Sequence, residues 1–116
     1  MKTDLEIYRE EIDIIDKVIA ESFEKRMEIV LKVAEYKRKN NLNTFDPSRE
    51  QKMIEKNQLY IKDEKLRKYY VELLKKQLEV SKLYQEDLKK VLKNKNWYDK
   101  IIYGGIFYDR YSKILS

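Results

Sequence analysis

The chain contains no cysteine and no histidine in its 116 residues. A disulfide framework, a thiolate nucleophile, an imidazole general base and the usual zinc sites are therefore excluded. Any chemistry must come from carboxylates, cations, amides and hydroxyls. Glycine and proline are nearly as scarce, at two residues and one. With so little to interrupt the chain, long helices are the expected elements, and a charged fraction of 41% fits that profile. No apolar run approaches the ~20 residues of a membrane span, so a soluble protein with no membrane partner is expected. The opening Met1-Lys2-Thr3-Asp4 lacks the apolar stretch of a secretion signal, which points to a cytoplasmic location. A chain of this length makes one domain, and one that is hard to stabilise alone.

Charge is what the sequence has in abundance. There are 26 basic and 21 acidic residues, for a formal net charge of +5. An excess of that sign would suit nucleic acid, but the two signs are interleaved at helical spacing. Glu10 and Glu11 precede Asp13 and Lys17, and Glu24 precedes Glu28 and Lys32. Such patterning is a solvated helix face and not a track for phosphates, so no nucleic-acid partner is expected.

Apolar residues recur every three or four positions through Leu5, Tyr8, Ile12, Ile15, Ile19, Phe23, Val30 and Val33. That spacing predicts one amphipathic helix running to about Asn40, roughly 55 Å long. The rest of so small a chain cannot cover that length, so a second copy is the expected cover. A loop follows over Asn40 to Phe45. Asp46-Pro47-Ser48-Arg49-Glu50 then starts a helix well: Asp46 as N-cap, Pro47 in the first position, Glu50 near the positive dipole end. This short helix is expected to reach Tyr60 with Met53, Ile54 and Leu59 inward. Asp63 caps a third helix, expected from Glu64 to Lys93, with a seam at Tyr70/Val71, Leu74, Leu78, Leu88 and Leu92. Residues 1–93 thus form the helical domain. Residues 94–116 read as an aromatic extension packed on it, with Gly104-Gly105 signalling either a hairpin or helical turns.

Polar groups interrupt both seams. Stepping by sevens from Leu5 gives Ile12, Ile19, Arg26 and Val33. In the third helix Ser81 and Gln85, neighbours on one face, separate Leu78 from Leu88. One such residue could merely specify register. Three, together with Lys37 on the Arg26 face and Arg49 beside a capped loop, point to a pocket for a small polyanion such as a dicarboxylate. Arg26 and Lys37 lie roughly 16 Å apart along one helix face. Arg9 lies about 25 Å from Arg26 and roughly 100° around the helix. If all three serve one kind of site, Arg9 must serve it in another copy of the chain.

The stretches Tyr8-Arg9-Glu10-Glu11-Ile12-Asp13, Asp16, Glu24-Lys25-Arg26-Met27, Val33-Ala34-Glu35-Tyr36-Lys37 and Asp46-Pro47-Ser48-Arg49-Glu50, with Ser81 and Gln85, resemble the all-helical chorismate mutases. The likeness covers about residues 4–92. It implies an all-α, three-helix protomer in an intertwined homodimer, with two sites each drawing on both chains and no cofactor or metal. It implies the rearrangement of chorismate to prephenate in phenylalanine and tyrosine biosynthesis. In that pattern Arg26 binds one substrate carboxylate and Arg9 of the other chain the second. Lys37 and Gln85 flank the ether oxygen of the breaking bond. Asp46, Arg49, Glu50 and Ser81 hold the ring hydroxyl and the pocket shape. Three other readings compete: an isochorismate–pyruvate lyase of the same fold, a non-catalytic helical dimer that binds a partner or nucleic acid, and a regulatory variant that answers to an aromatic amino acid through the C-terminal extension. The second would leave Arg26→Ala and Gln85→Ala neutral or stabilising.

Overall fold

The structure, a computed structural model, describes residues 1–91. Three helices account for nearly all of them: α1 over Asp4–Lys39, α2 over Pro47–Gln58 and α3 over Glu64–Val91. No strand occurs among the described residues, so the domain is all-α as expected. The extension over 94–116, with its Gly104-Gly105 turn, lies outside the described residues.

Each boundary has a local cause. Thr3 caps α1 with a capping box: its Oγ1 accepts from the Glu6 backbone N–H, and Glu6 Oε2 accepts from the Thr3 N–H, each at 3.2 Å. At the other end Asn41 adopts φ 54°, in the left-handed region. Its N–H donates to Arg38 O and the Leu42 N–H donates to Lys37 O at 2.8 Å. This pair of bonds is a Schellman motif, with asparagine where glycine is commonest. Asn40 reinforces it by donating from its side chain to Tyr36 O at 2.9 Å. The motif ends α1 at Lys39, and Lys37, whose carbonyl accepts in it, lies in the last turn.

Asp46 caps α2 by accepting from the Arg49 N–H at 3.1 Å, with Pro47 in the first turn. Asp63 Oδ1 accepts from the Lys65 N–H at 3.0 Å and so starts α3. The α2–α3 connection departs from expectation in one respect. Leu59 is exposed, not inward. Leu59, Tyr60 and Ile61 each donate to the carbonyl three residues back, so the chain winds tighter than an α-helix there. That tighter winding rotates Leu59 away from the Met53 face, and the half-buried Ile61 takes its place, its carbonyl accepting from Arg67 Nε at 2.9 Å.

Both α1 and α2 pack on α3. Among the described residues the buried apolar side chains are few: Leu31 and Ala34 of α1, Met53 of α2, and Leu74 and Leu88 of α3. The expected seam of α3 holds at Leu74 and Leu88. Glu35 is also buried, and a two-pronged pairing with Arg38, at 2.7 and 3.0 Å, together with Lys39 at 3.2 Å, offsets the cost of its charge. By contrast, every residue from 1 to 25 is exposed. Leu5, Ile12, Ile15, Ile19 and Phe23 form an uncovered apolar stripe on a helix of 36 residues, roughly 54 Å long.

The Schellman turn provides a direct check on the fold. Asn41→Val places a β-branched residue at positive φ, which costs about 1–2 kcal/mol. The expected result is a Tm lower by about 4–8 °C per kcal/mol for a domain of this size, read by circular dichroism. Asn41→Gly should not lower it.

Candidate active site

The C-terminal half of α1 presents Arg26, Val30, Val33 and Lys37 on one face, at spacings of four, three and four residues. Across from it α3 presents Leu78, Ser81, Lys82 and Gln85. The first turns of α2 close the end with Asp46, Arg49, Glu50 and Met53, and Thr44 comes from the preceding loop. Together these residues enclose a cavity of about 350 Å³. That is large enough for a molecule of about a dozen or more heavy atoms, within the ordinary range of small-ligand sites.

The polar contacts inside it are specific. Arg26 Nη1 donates to Ser81 Oγ at 2.6 Å, and Ser81 Oγ donates in turn to Gln77 O at 2.9 Å. The serine thus anchors the guanidinium while its own hydrogen goes back into α3. Gln85 Nε2 donates to Ser81 O at 3.3 Å, while Gln85 Oε1 is buried with no partner. Lys37 Nζ donates to Thr44 O at 2.9 Å, a bond that stretches the lysine along the cavity wall and uses one of its three hydrogens. Gln85 Nε2 and Lys37 Nζ each carry hydrogens beyond those used in these bonds.

Electrostatically the cavity is a receptor for negative charge. Arg26, Lys37, Arg49 and Lys82 face two carboxylates, Asp46 and Glu50, for a net charge of +2. Asp46 is already engaged as a helix cap. Burial lowers the pKa of Arg26 below its ordinary value, the nearby Arg49 lowers it further, and Tyr70 opposes the shift. The sign matters. A depressed pKa means that the folded protein bears a cost for holding Arg26 charged, at every pH below that pKa. A bound anion offsets both the desolvation and the repulsion between the two guanidinium groups.

Seven of the eight residues expected to form the site line this one cavity: Arg26, Lys37, Asp46, Arg49, Glu50, Ser81 and Gln85. Arg9 does not. It is exposed on the projecting half of α1, and the cavity does not include it. Thr44 and Lys82 line the cavity without having been expected there. Thr44 acts through its backbone carbonyl, which residue type does not reveal. Lys82 is one of 26 basic residues, and only its place next to Ser81 and three before Gln85 hints at its direction.

Over residues 8–86 the sequence matches the family model described as chorismate mutase type II. The chain belongs to the type II chorismate mutase family. No significant match was found among curated proteins or solved structures. The matched span begins just before Arg9 and ends just after Gln85, so it contains all eight expected residues. Family membership supports a chorismate mutase type of function. No helix among the described residues is long and apolar enough to cross a membrane.

An anion-receptor cavity should be stabilised by a simple dicarboxylate. At about ten times its Kd, succinate should add about 1.4 kcal/mol, which raises Tm by several degrees. In Arg26→Met that increment should vanish at the same ionic strength, as measured by differential scanning fluorimetry.

Proposed function

We propose that this protein catalyses the conversion of chorismate to prephenate, as a homodimer whose two sites each combine residues of both chains. The observation that carries the proposal is the convergence of seven residues from three separated stretches on one cavity of net charge +2. Chorismate is a dicarboxylate carrying a ring hydroxyl and an ether oxygen, and the lining offers partners for one carboxylate, the hydroxyl and the ether oxygen.

The reaction is a unimolecular pericyclic rearrangement. A carbon–oxygen bond breaks as a carbon–carbon bond forms, with no proton transfer and no covalent intermediate. A chain without histidine or cysteine is therefore at no disadvantage. The cavity has two tasks. It must hold the enolpyruvyl chain over the ring, and it must stabilise negative charge developing on the ether oxygen. Arg26, fixed by Ser81, takes one carboxylate. Lys37, fixed by Thr44, and the second amide hydrogen of Gln85 donate to the ether oxygen. Glu50 accepts the ring hydroxyl, with Asp46 and Arg49 setting the shape of that end. The donors are in place before the reaction, so little reorganisation opposes the step.

The second carboxylate calls for Arg9 of the partner subunit. Two features support the dimer. The stripe from Leu5 to Phe23 is apolar and exposed, more than a monomer of this size leaves to water. A groove between α1 and α3, lined by Val18, Ile19, Phe23, Leu73 and Val80, also reaches Arg26. A partner helix laid there brings its own N-terminal half beside Arg26. The two-fold arrangement makes the contact mutual, so each chain covers the other's projecting helix.

Incubation with chorismate, with product identification, tests the reaction: prephenate is expected, and no salicylate or pyruvate from isochorismate. Lys37→Ala and Gln85→Ala should each lower kcat by about 10²–10³. Unchanged kcat in both would overturn their roles. Mixing tests the shared site. Arg9→Ala and Arg26→Ala chains should each be nearly inactive alone. Co-refolded in equal amounts they should recover about a quarter of wild-type activity, because half the dimers are mixed and each mixed dimer has one intact site. No recovery would mean that both arginines act within one chain.

A further inference from the structure

Lys82 has no part in the roles above, yet it joins three elements at the mouth of the cavity. From α3 its Nζ lies 3.2 Å from Glu50 Oε1 and 3.5 Å from Oε2, on the first turns of α2. The same ammonium sits 4.6 Å from the centroid of the Phe45 ring, in the loop between α1 and α2. Its position on α3 is one residue past Ser81 and three before Gln85. It therefore lines the cavity and also the adjoining cleft beneath Phe45.

The two Glu50 distances are nearly equal, so the ammonium straddles the carboxylate and does not cap one oxygen end-on. A carboxylate offers about four lone-pair directions and one straddling ammonium occupies about two, leaving acceptor capacity facing the cavity. The ring and the aliphatic stem of Lys82 limit where the ammonium can move. Charge makes the pairing consequential. Without Lys82 the lining would hold three cations against two carboxylates, and Glu50 would present bare negative charge to an incoming dianion.

We propose that Lys82 is a positioning residue that sets specificity through Glu50: it neutralises and aims that carboxylate, so that Glu50 accepts the ligand's hydroxyl without repelling its acid groups. This rests on the reaction proposed above. Lys82 need not touch the substrate. Its effect falls on binding of a hydroxylated dicarboxylate, not on the bond-breaking step, which takes place at the Lys37 and Gln85 end.

A double-mutant cycle tests this, with wild type, K82M, E50Q and K82M/E50Q assayed on chorismate. In K82M the KM should rise about tenfold, a magnitude suited to a partly exposed charge-assisted pair, while kcat stays within about threefold. K82R should restore KM to within about threefold of wild type. In the E50Q background, where Lys82 no longer has the Glu50 carboxylate to neutralise, adding K82M should change KM by less than about threefold. A tenfold effect of K82M that persists in E50Q would show direct action on the ligand and overturn the proposal. So would an unchanged KM in K82M, or a kcat loss as large as the KM rise. If the wild type converts no chorismate, it is the reaction assignment that fails. The same four chains are then compared by the Tm shift produced by malate, a dicarboxylate with a hydroxyl. Lys82 keeps its role there only if K82M reduces the malate shift in the wild-type background and not in E50Q.

Discussion

Two guanidinium groups, Arg26 and Arg49, face one cavity, and the charge of Arg26 is held there against burial as well as against its neighbour. Arg26 is half-buried on α1, its charge disfavoured first by burial and then by Arg49 of α2. Like charges brought together and partly desolvated cost free energy unless something anionic joins them. The nearby carboxylates do not fully relieve this strain, because Asp46 caps a helix and Glu50 pairs with Lys82. A ligand with two acid groups is the natural completion. The fold holds the two guanidinium groups in place with Ser81 on one side and the α2 cap on the other.

That holding is done by helix ends more than by core. The buried apolar set is small. Position is fixed instead by a Schellman turn that stops α1 just after Lys37, by Asp46 at the head of α2, and by Asp63 at the head of α3. The first two set Lys37 and Arg49 beside hydrogen-bonded helix ends. Thr44 shows the economy of this. Its carbonyl orients Lys37 from inside the cavity while its hydroxyl accepts from Lys89 outside.

The projecting half of α1 has the opposite character. It is long, exposed and apolar along one stripe, and it carries Arg9 away from the cavity its own chain builds. In the proposed dimer the surface in need of cover and the missing cation lie on the same segment. Covering the stripe and delivering Arg9 then become one event, and catalysis is tied to assembly.

Much of this was legible from residue order. Periodicity located all three helices, and capping chemistry located their starts, because both depend on neighbours within one turn. The seam breaks at Arg26, Ser81 and Gln85 marked the cavity, since a polar group at an apolar position needs a partner that the helix itself cannot supply. Leu59 was misplaced because a tightened last turn shifts phase by an angle that no local pattern encodes. Thr44 and Lys82 were invisible for a related reason: one contributes a backbone atom, and the other is a surface-type residue whose meaning comes from Glu50, 32 positions earlier. Helix identity and charge inventory thus follow from contacts a few residues long. Which cations share a cavity, and which carboxylate each one answers, are set by how α1 and α2 dock on α3, through contacts between residues far apart in the chain.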